Sequence, residues 1–181
     1  MKSVRLFFLS AIILLAGCSA PAPQEYFGQA ALNCNVLFGF ADRGLFSQLE
    51  SPSEKLVDQR TMTTEPMLRK EVVTGKLEQI EANYRKVKDL PANDDAKQMV
   101  EASLALYDFV LPVYKNEIMK LAVLYDENAP AEKIHAEQKM ISDTYAEKFN
   151  ALYQAVLNAG LAYAGRNNIP VQTASPTPPR M

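Results

Sequence analysis

The amino-acid sequence predicts an all-α domain built as an antiparallel, up-down four-helix bundle. Apolar residues recur at steps of three and four through most of residues 26–166, which is the spacing of one face of a helix. Glycine is sparse in the long periodic stretches, and regularly spaced Leu, Val, Ile and Tyr among Lys, Glu and Gln favour helices. Short polar connections separate these stretches, so neighbouring helices should run in opposite directions.

Residues 1–18 differ from the rest of the chain. Lys2 and Arg5 precede an apolar stretch from Leu6 to Leu15, and small residues then lead to Cys18. A basic start, an apolar stretch of roughly 7–15 residues and small residues before a cut site are typical of a secretory signal. A single membrane-spanning helix needs about 20 apolar residues, and this stretch is shorter.

The residues Leu15-Ala16-Gly17-Cys18 resemble the lipobox of a bacterial lipoprotein signal peptide. An ordinary cleaved signal is the alternative, and the cysteine directly after Leu, Ala and Gly argues against it. The resemblance implies that residues 1–17 are removed, that the sulfur of Cys18 receives a diacylglycerol and that the new amino terminus is acylated. Two or more acyl chains make a stable membrane anchor.

The resemblance also implies a location in the bacterial cell envelope, on its periplasmic or surface face. Ser19 follows the cysteine, and in enterobacterial-type lipoproteins this residue permits export, so the outer membrane is favoured. Removal of residues 1–17 changes the formal net charge from −2 to −4, because they hold two basic residues and no acidic one. This mild charge argues against nucleic acid as a partner. We expect a membrane partner through the lipid and a protein partner in the envelope.

The first part of the mature chain is predicted to be a tether followed by a helix. Pro21 and Pro23 interrupt helical structure, so residues 18–25 are predicted to be the tether. The first helix is predicted over residues 26–49, with breaks or fraying at its glycines. Ser51-Pro52-Ser53-Glu54 has the pattern of an N-cap, a first-turn proline and a capping-box glutamate, which predicts a short helix over residues 52–60.

The second and third helices are predicted over residues 66–89 and 94–126. The third carries a heptad seam and a second apolar row, so it should be the central and most buried helix, with Leu111 in its middle. Pro112 should kink it, because proline lacks the N–H that would bond to the carbonyl of Asp108. The seam comprises Val100, Leu104, Tyr107, Leu111, Tyr114, Ile118, Leu121 and Tyr125, and the second row comprises Met99, Leu106, Val110 and Val113.

The fourth helix is predicted over residues 131–166, after a turn at Asn128-Ala129-Pro130. Residues 167–181 contain several prolines and few apolar side chains, so we predict a disordered tail. The tyrosines at 107, 114 and 125 share one face, and we expect them to pack in the core rather than to bind a cofactor.

Cysteine and histidine are too few to predict catalysis. If Cys18 carries lipid, Cys34 has no intramolecular partner, and its apolar spacing predicts burial, with an intermolecular bridge or redox role as the alternative. Glu132 and His135 form one Glu-x-x-His motif, whereas a di-iron bundle needs two, so His135 is expected at the surface. Met62 and Met67 could bind a soft metal ion such as Cu(I) through their sulfur atoms, but two spaced methionines are too weak a pattern to predict such a site.

The sequence therefore predicts no catalytic residue, cofactor or metal site, and one modified residue, Cys18. No phosphate-binding loop or haem-attachment motif is present in the chain. Three functions remain in order of preference. The first is a non-enzymatic binding or structural adaptor, the second is a carrier or sensor of a small apolar ligand near Pro112, and the third is an enzyme with a carboxylate site that only the fold would reveal.

Overall fold

A computed structural model describes residues 21–171 of the chain, and most of them are helical, as predicted. The signal segment, Cys18, Ser19 and residues 172–181 lie outside the described residues. No helix among residues 21–171 is long and apolar enough to cross a membrane. In chain order the elements are α1 (Pro23–Ala30), a 3₁₀ helix (Leu32–Leu37), α2 (Arg43–Glu50), β1 (Glu54–Asp58), β2 (Thr63–Pro66), α3 (Arg69–Lys88), α4 (Lys97–Val113), a π-helical turn (Tyr114–Ile118), α5 (Met119–Asp126) and α6 (Ala131–Arg166).

The predicted first helix is divided into α1, the 3₁₀ helix and α2, which together we call the N-terminal segment. Helix α1 begins at Pro23, inside the predicted tether, because the first position of a helix does not need the N–H that proline lacks. The segment breaks at Gly39, whose φ of +82° few other residues adopt. Helix α2 then begins after Asp42, whose side chain caps it by accepting a hydrogen bond from the N–H of Gly44 at 2.6 Å.

The short helix predicted over residues 52–60 is wrong, because these residues enter an antiparallel hairpin of β1 and β2. Val57 in β1 and Thr63 and Thr64 in β2 prefer extended backbone, and this preference outweighs the capping pattern at Ser51. In the turn, the carboxylate of Asp58 accepts hydrogen bonds from the N–H groups of Arg60 and Thr61 at 2.8 and 3.3 Å. The hairpin is almost entirely exposed to solvent.

The three long predicted helices agree with the structure to within about three residues at each end. The third is a continuous run of α4, the π-helical turn and α5, and the fourth matches α6. Helix α3 begins where the carboxylate of Asp126 accepts the N–H groups of Arg69 and Lys70, at 2.7 and 3.0 Å. A negative charge at the start of a helix is stabilising, so this contact joins the ends of α3 and α5.

Side-chain pairs show the relative directions of these helices. Helix α3 runs opposite to α4 and α5, through pairs of Tyr84 with Asp108 and Glu81 with Lys115. Helix α6 also runs opposite to them, through pairs of Arg166 with Asp95 and Glu137 with Lys120.

Burial along the third predicted helix changes from one apolar row to the other at the π-helical turn. Before the turn the second row is buried, including Leu106 and Val110, whereas Tyr107 is the one buried residue of the seam and Leu111 is only partly buried. From the turn onward the seam is buried at Tyr114, Ile118 and Leu121 and partly buried at Tyr125. A π turn adds a residue to the helix and so rotates the later turns about the helix axis. The expectation that Leu111 lies at the centre is therefore wrong, although the helix itself is central.

The packed part of the chain continues past α6. Asn168 adopts a left-handed conformation with φ of +52°, and the N–H of Ile169 bonds back to the carbonyl of Ala164 at 2.9 Å. This geometry is a Schellman motif, in which the chain reverses and places an apolar residue against the helix. Ile169 and Val171 accordingly pack against the core, so the first five residues of the predicted tail belong to the folded domain.

Candidate functional site

An open groove lies beside Pro112, between α4 with its π-helical turn and α6. It has a volume of about 590 Å³ and is mostly apolar. Pro112 is exposed along its edge, and Val113 is buried at its base. The residues that line it are Ala105, Asp108, Phe109, Pro112, Val113, Asn116, Glu117, Tyr145, Lys148 and Leu152.

The proline and the π-helical turn explain why a groove forms here. Pro112 removes one backbone hydrogen bond and crowds the preceding turn of α4. Two residues later the helix widens, and the N–H of Met119 reaches back five residues to the carbonyl of Tyr114. Wide turns of this kind are frequent at functional sites in helices. The helix continues through Pro112, and the kink predicted there stays a prediction. The π-helical turn was not predicted, because no residue pattern identifies one.

Charged groups of both signs border the groove. The ammonium group of Lys148 lies 5.1 Å from the centre of the Phe109 ring, across the groove from α6 to α4. An exposed cation–π contact of this kind contributes about 0.5–1 kcal/mol. Asp108 accepts a hydrogen bond of 2.5 Å from the hydroxyl of Tyr84, and this bond raises the pKa of Tyr84. The groove therefore offers an apolar floor bordered by two acidic side chains, Asp108 and Glu117, and one basic side chain, Lys148.

Cys34 is buried, as predicted, between the N-terminal segment and α4. Its sulfur lies 3.3 Å from the hydroxyl oxygen of Ser103 and donates to the carbonyl of Ala30 at 3.4 Å. Burial raises the pKa of this thiol, although the hydroxyl of Ser103 opposes the shift. A buried thiol that stays protonated is a poor nucleophile, which argues against a redox role.

The tyrosines also lie as the sequence predicts, with Tyr107 and Tyr114 buried and Tyr125 partly buried. Burial raises the pKa of both Tyr107 and Tyr114. Within the described residues, the hydroxyl of Tyr107 makes no hydrogen bond of ordinary geometry, although the side chains of Cys34 and Asn83 lie close enough to affect its pKa.

The remaining candidate residues are not brought together. Glu132 and His135 are exposed in the first turns of α6, and Met62 is 71% exposed in the hairpin turn. Among residues 21–171, no group of three or more His, Cys, Asp or Glu side chains is placed to hold a metal ion. Cys18, the predicted lipidation site, lies outside the described residues.

Comparison of the chain with protein-family models, curated proteins and solved structures gave no match.

Proposed function

We propose that this chain is a lipid-anchored protein of the bacterial envelope that binds another protein without catalysing a reaction. The anchor is the lipid predicted on Cys18, with the outer membrane favoured by Ser19. The groove beside Pro112 is the observation that carries the proposal, because it is a mostly apolar hollow that adjoins the π-helical turn of the central helix. An amphipathic segment of a partner would place its apolar side chains in the groove and its charged groups near Asp108 and Lys148.

The openness of the groove favours a protein partner over a small ligand. Sites for small molecules are concave and bury most of the ligand surface. Here Ala105, Asn116 and Lys148 are exposed along the groove, so a bound molecule would remain accessible from one side. A carrier of a small apolar ligand is the second candidate, and the volume of about 590 Å³ falls within the range of roughly 300–1,000 Å³ for such sites.

We also propose that the domain is an up-down four-helix bundle whose first layer is the broken N-terminal segment. Contacts along this segment support the proposal. Near its start, Tyr26 donates to the carbonyl of Pro91 at 3.0 Å, and near its end the carbonyl of Leu49 accepts from Arg69 at 3.2 Å. The segment therefore runs opposite to α3.

Photocrosslinking in intact cells tests the binding function. A photoreactive amino acid replaces Ala105 or Asn116 in the full chain, and the exposed residue His135 serves as the control position. The proposal expects one protein adduct from both groove positions and none from position 135. A small-molecule adduct would instead support the carrier.

A matched pair of α6 variants tests whether the groove itself is responsible. Leu152→Arg places a charge in the groove and should abolish the adduct from position 116, whereas Thr144→Arg should preserve it, because Thr144 is exposed on the same helix and does not line the groove. Equal adducts from all three positions, or none, would contradict the proposal.

Loss of a fatty-acid label in Cys18→Ala tests the anchor separately. Turnover of an envelope substrate that His135→Ala or Cys34→Ser abolishes would favour an enzyme.

A further inference from the structure

Two long stretches within the described helical part of the chain contain no charged residue. Residues 26–41 and residues 149–165 hold no Asp, Glu, Lys or Arg, although these residues make up 22% of the whole sequence. The first stretch covers most of α1, all of the 3₁₀ helix and the break at Gly39, and the second is the last half of α6. Solvated helix faces normally carry charges, so their absence from exposed positions calls for an explanation.

The two stretches pack against each other. A Cβ atom placed on Gly160 would lie 3.0 Å from the Cβ of Ala31, so the glycine permits a close approach of α6 to the N-terminal segment. Further along, the hydroxyl of Tyr153 donates to the side-chain oxygen of Asn35 at 3.0 Å. The rings of Phe40 and Phe149 have centroids 4.7 Å apart. The stretches therefore form one continuous seam, which we call the uncharged face.

Large apolar side chains on this face are exposed. Leu32 and Leu157 lie between the contacts at Gly160 and Tyr153, and they are 50% and 36% exposed. Leu161 is 47% exposed one turn beyond Leu157, and Phe38 is 80% exposed at the other end of the face. Within the described residues, every exposed side chain of α6 from position 150 to 165 is uncharged.

The uncharged face begins at the end of the domain from which the anchor would extend. Five residue steps separate Cys18 from Pro23, the first residue of α1, and even a fully extended chain spans at most about 18 Å over that distance. Ala31 lies about 12 Å further along, at 1.5 Å per residue. The beginning of the uncharged face is therefore held near the acyl chains.

We propose that the uncharged face lies on the lipid bilayer that holds the acyl chains, an inference that rests on the lipid anchor proposed above. Apolar side chains at the headgroup boundary gain free energy by leaving water, and a face without charges avoids the cost of desolvating them. The absence of Lys and Arg means that attraction to anionic lipid plays no part, so zwitterionic lipid suffices. A second copy or a protein partner would leave the position of the face next to the anchor unexplained.

Single tryptophans test this orientation, because the natural chain has none. The lipidated full chain carrying Phe38→Trp or Leu157→Trp is reconstituted into phosphatidylcholine vesicles, with and without brominated acyl chains. Met62→Trp is the control, since Met62 is exposed on the hairpin near the far end of the N-terminal segment. The proposal expects the emission at positions 38 and 157 to shift to shorter wavelength and to be mostly lost with brominated lipid, while position 62 changes in neither respect.

Each other result has a definite meaning. If the fatty-acid label is present but brominated lipid does not quench the tryptophan emission at positions 38 and 157, the uncharged face does not lie on the bilayer, although the lipid anchor is supported. If the label is absent, the anchor fails and this inference fails with it. Emission at position 157 that shifts only at high protein density would assign the face to a second copy, and a shift only in the presence of a crosslinked partner would assign it to a protein. Either result would overturn the bilayer proposal.

Discussion

Tyr107→Phe should stabilise the domain. Tyr107 is completely buried, and within the described residues its hydroxyl makes no hydrogen bond of ordinary geometry. The side chains of Cys34 and Asn83 lie close enough to affect the pKa of Tyr107, but neither completes such a bond. A buried polar group without a partner is unfavourable by about 1–3 kcal/mol, and phenylalanine removes that group while keeping the ring. Some packing around the lost oxygen offsets the gain, so we expect the free energy of unfolding to rise by about 1 kcal/mol. In a domain of this size, that change raises Tm by about 2–4 °C.

Tyr26→Phe is the matched control. Tyr26 is 1% exposed, but its hydroxyl donates to the carbonyl of Pro91 at 3.0 Å. Loss of this hydrogen bond should lower the free energy of unfolding by about 0.5–1.5 kcal/mol, so the two variants should differ in sign. Urea unfolding at neutral pH, with the slope m unchanged, measures both. A Tyr107→Phe variant that is less stable than the wild type would refute the reasoning, because its hydroxyl would then have a partner.

Two further predictions concern packing and pH. Leu106→Ala should lower the free energy of unfolding by about 2–5 kcal/mol, and Leu111→Ala by clearly less, because Leu106 is fully buried and Leu111 is not; equal losses in urea unfolding would contradict this. The hydrogen bond from Asn167 and the charge of Arg166 lower the pKa of Asp95 below 3.8, so the carboxylate stabilises the fold above that pH and loses this effect as the pH falls through its lowered pKa. Asp95→Asn should therefore lower Tm at pH 6 and converge with the wild type in acid; a Tm difference that does not change with pH would contradict this.

Periodicity predicted the long helices well because their ends carry clear signals. Helix α6 begins directly after Pro130 and ends shortly before Asn168, which adopts a left-handed conformation. Proline cannot continue a preceding helix, and asparagine is one of the residues that tolerate the left-handed conformation after a helix end. The hairpin was missed because the pattern at Ser51 is a helix-start signal that local β preference outweighed. The break in the N-terminal segment was expected at a glycine, but only the structure identifies Gly39 as the one with positive φ.

The groove was partly predictable and its geometry was not. Proline at position 112 predicts a kink in the central helix, with a gap between helices as one consequence, and the groove lies beside that residue. The π-helical turn depends on how the helix accommodates that proline within the surrounding core, which no local pattern encodes. The uncharged stretches, in contrast, can be counted directly in the sequence. Apolar spacing alone does not reveal them, because it groups Asn and Gln with charged residues as polar positions.

The groove and the uncharged face can be occupied at the same time. Both use α6, where Lys148 lines the groove and Leu157 belongs to the uncharged face. These residues are nine positions apart, and at about 100° per residue nine positions amount to two and a half turns. Their side chains therefore point to opposite sides of the helix. If the uncharged face lies on the bilayer, the groove faces away from the lipid, and the lipid anchor would orient the groove toward a partner in the envelope.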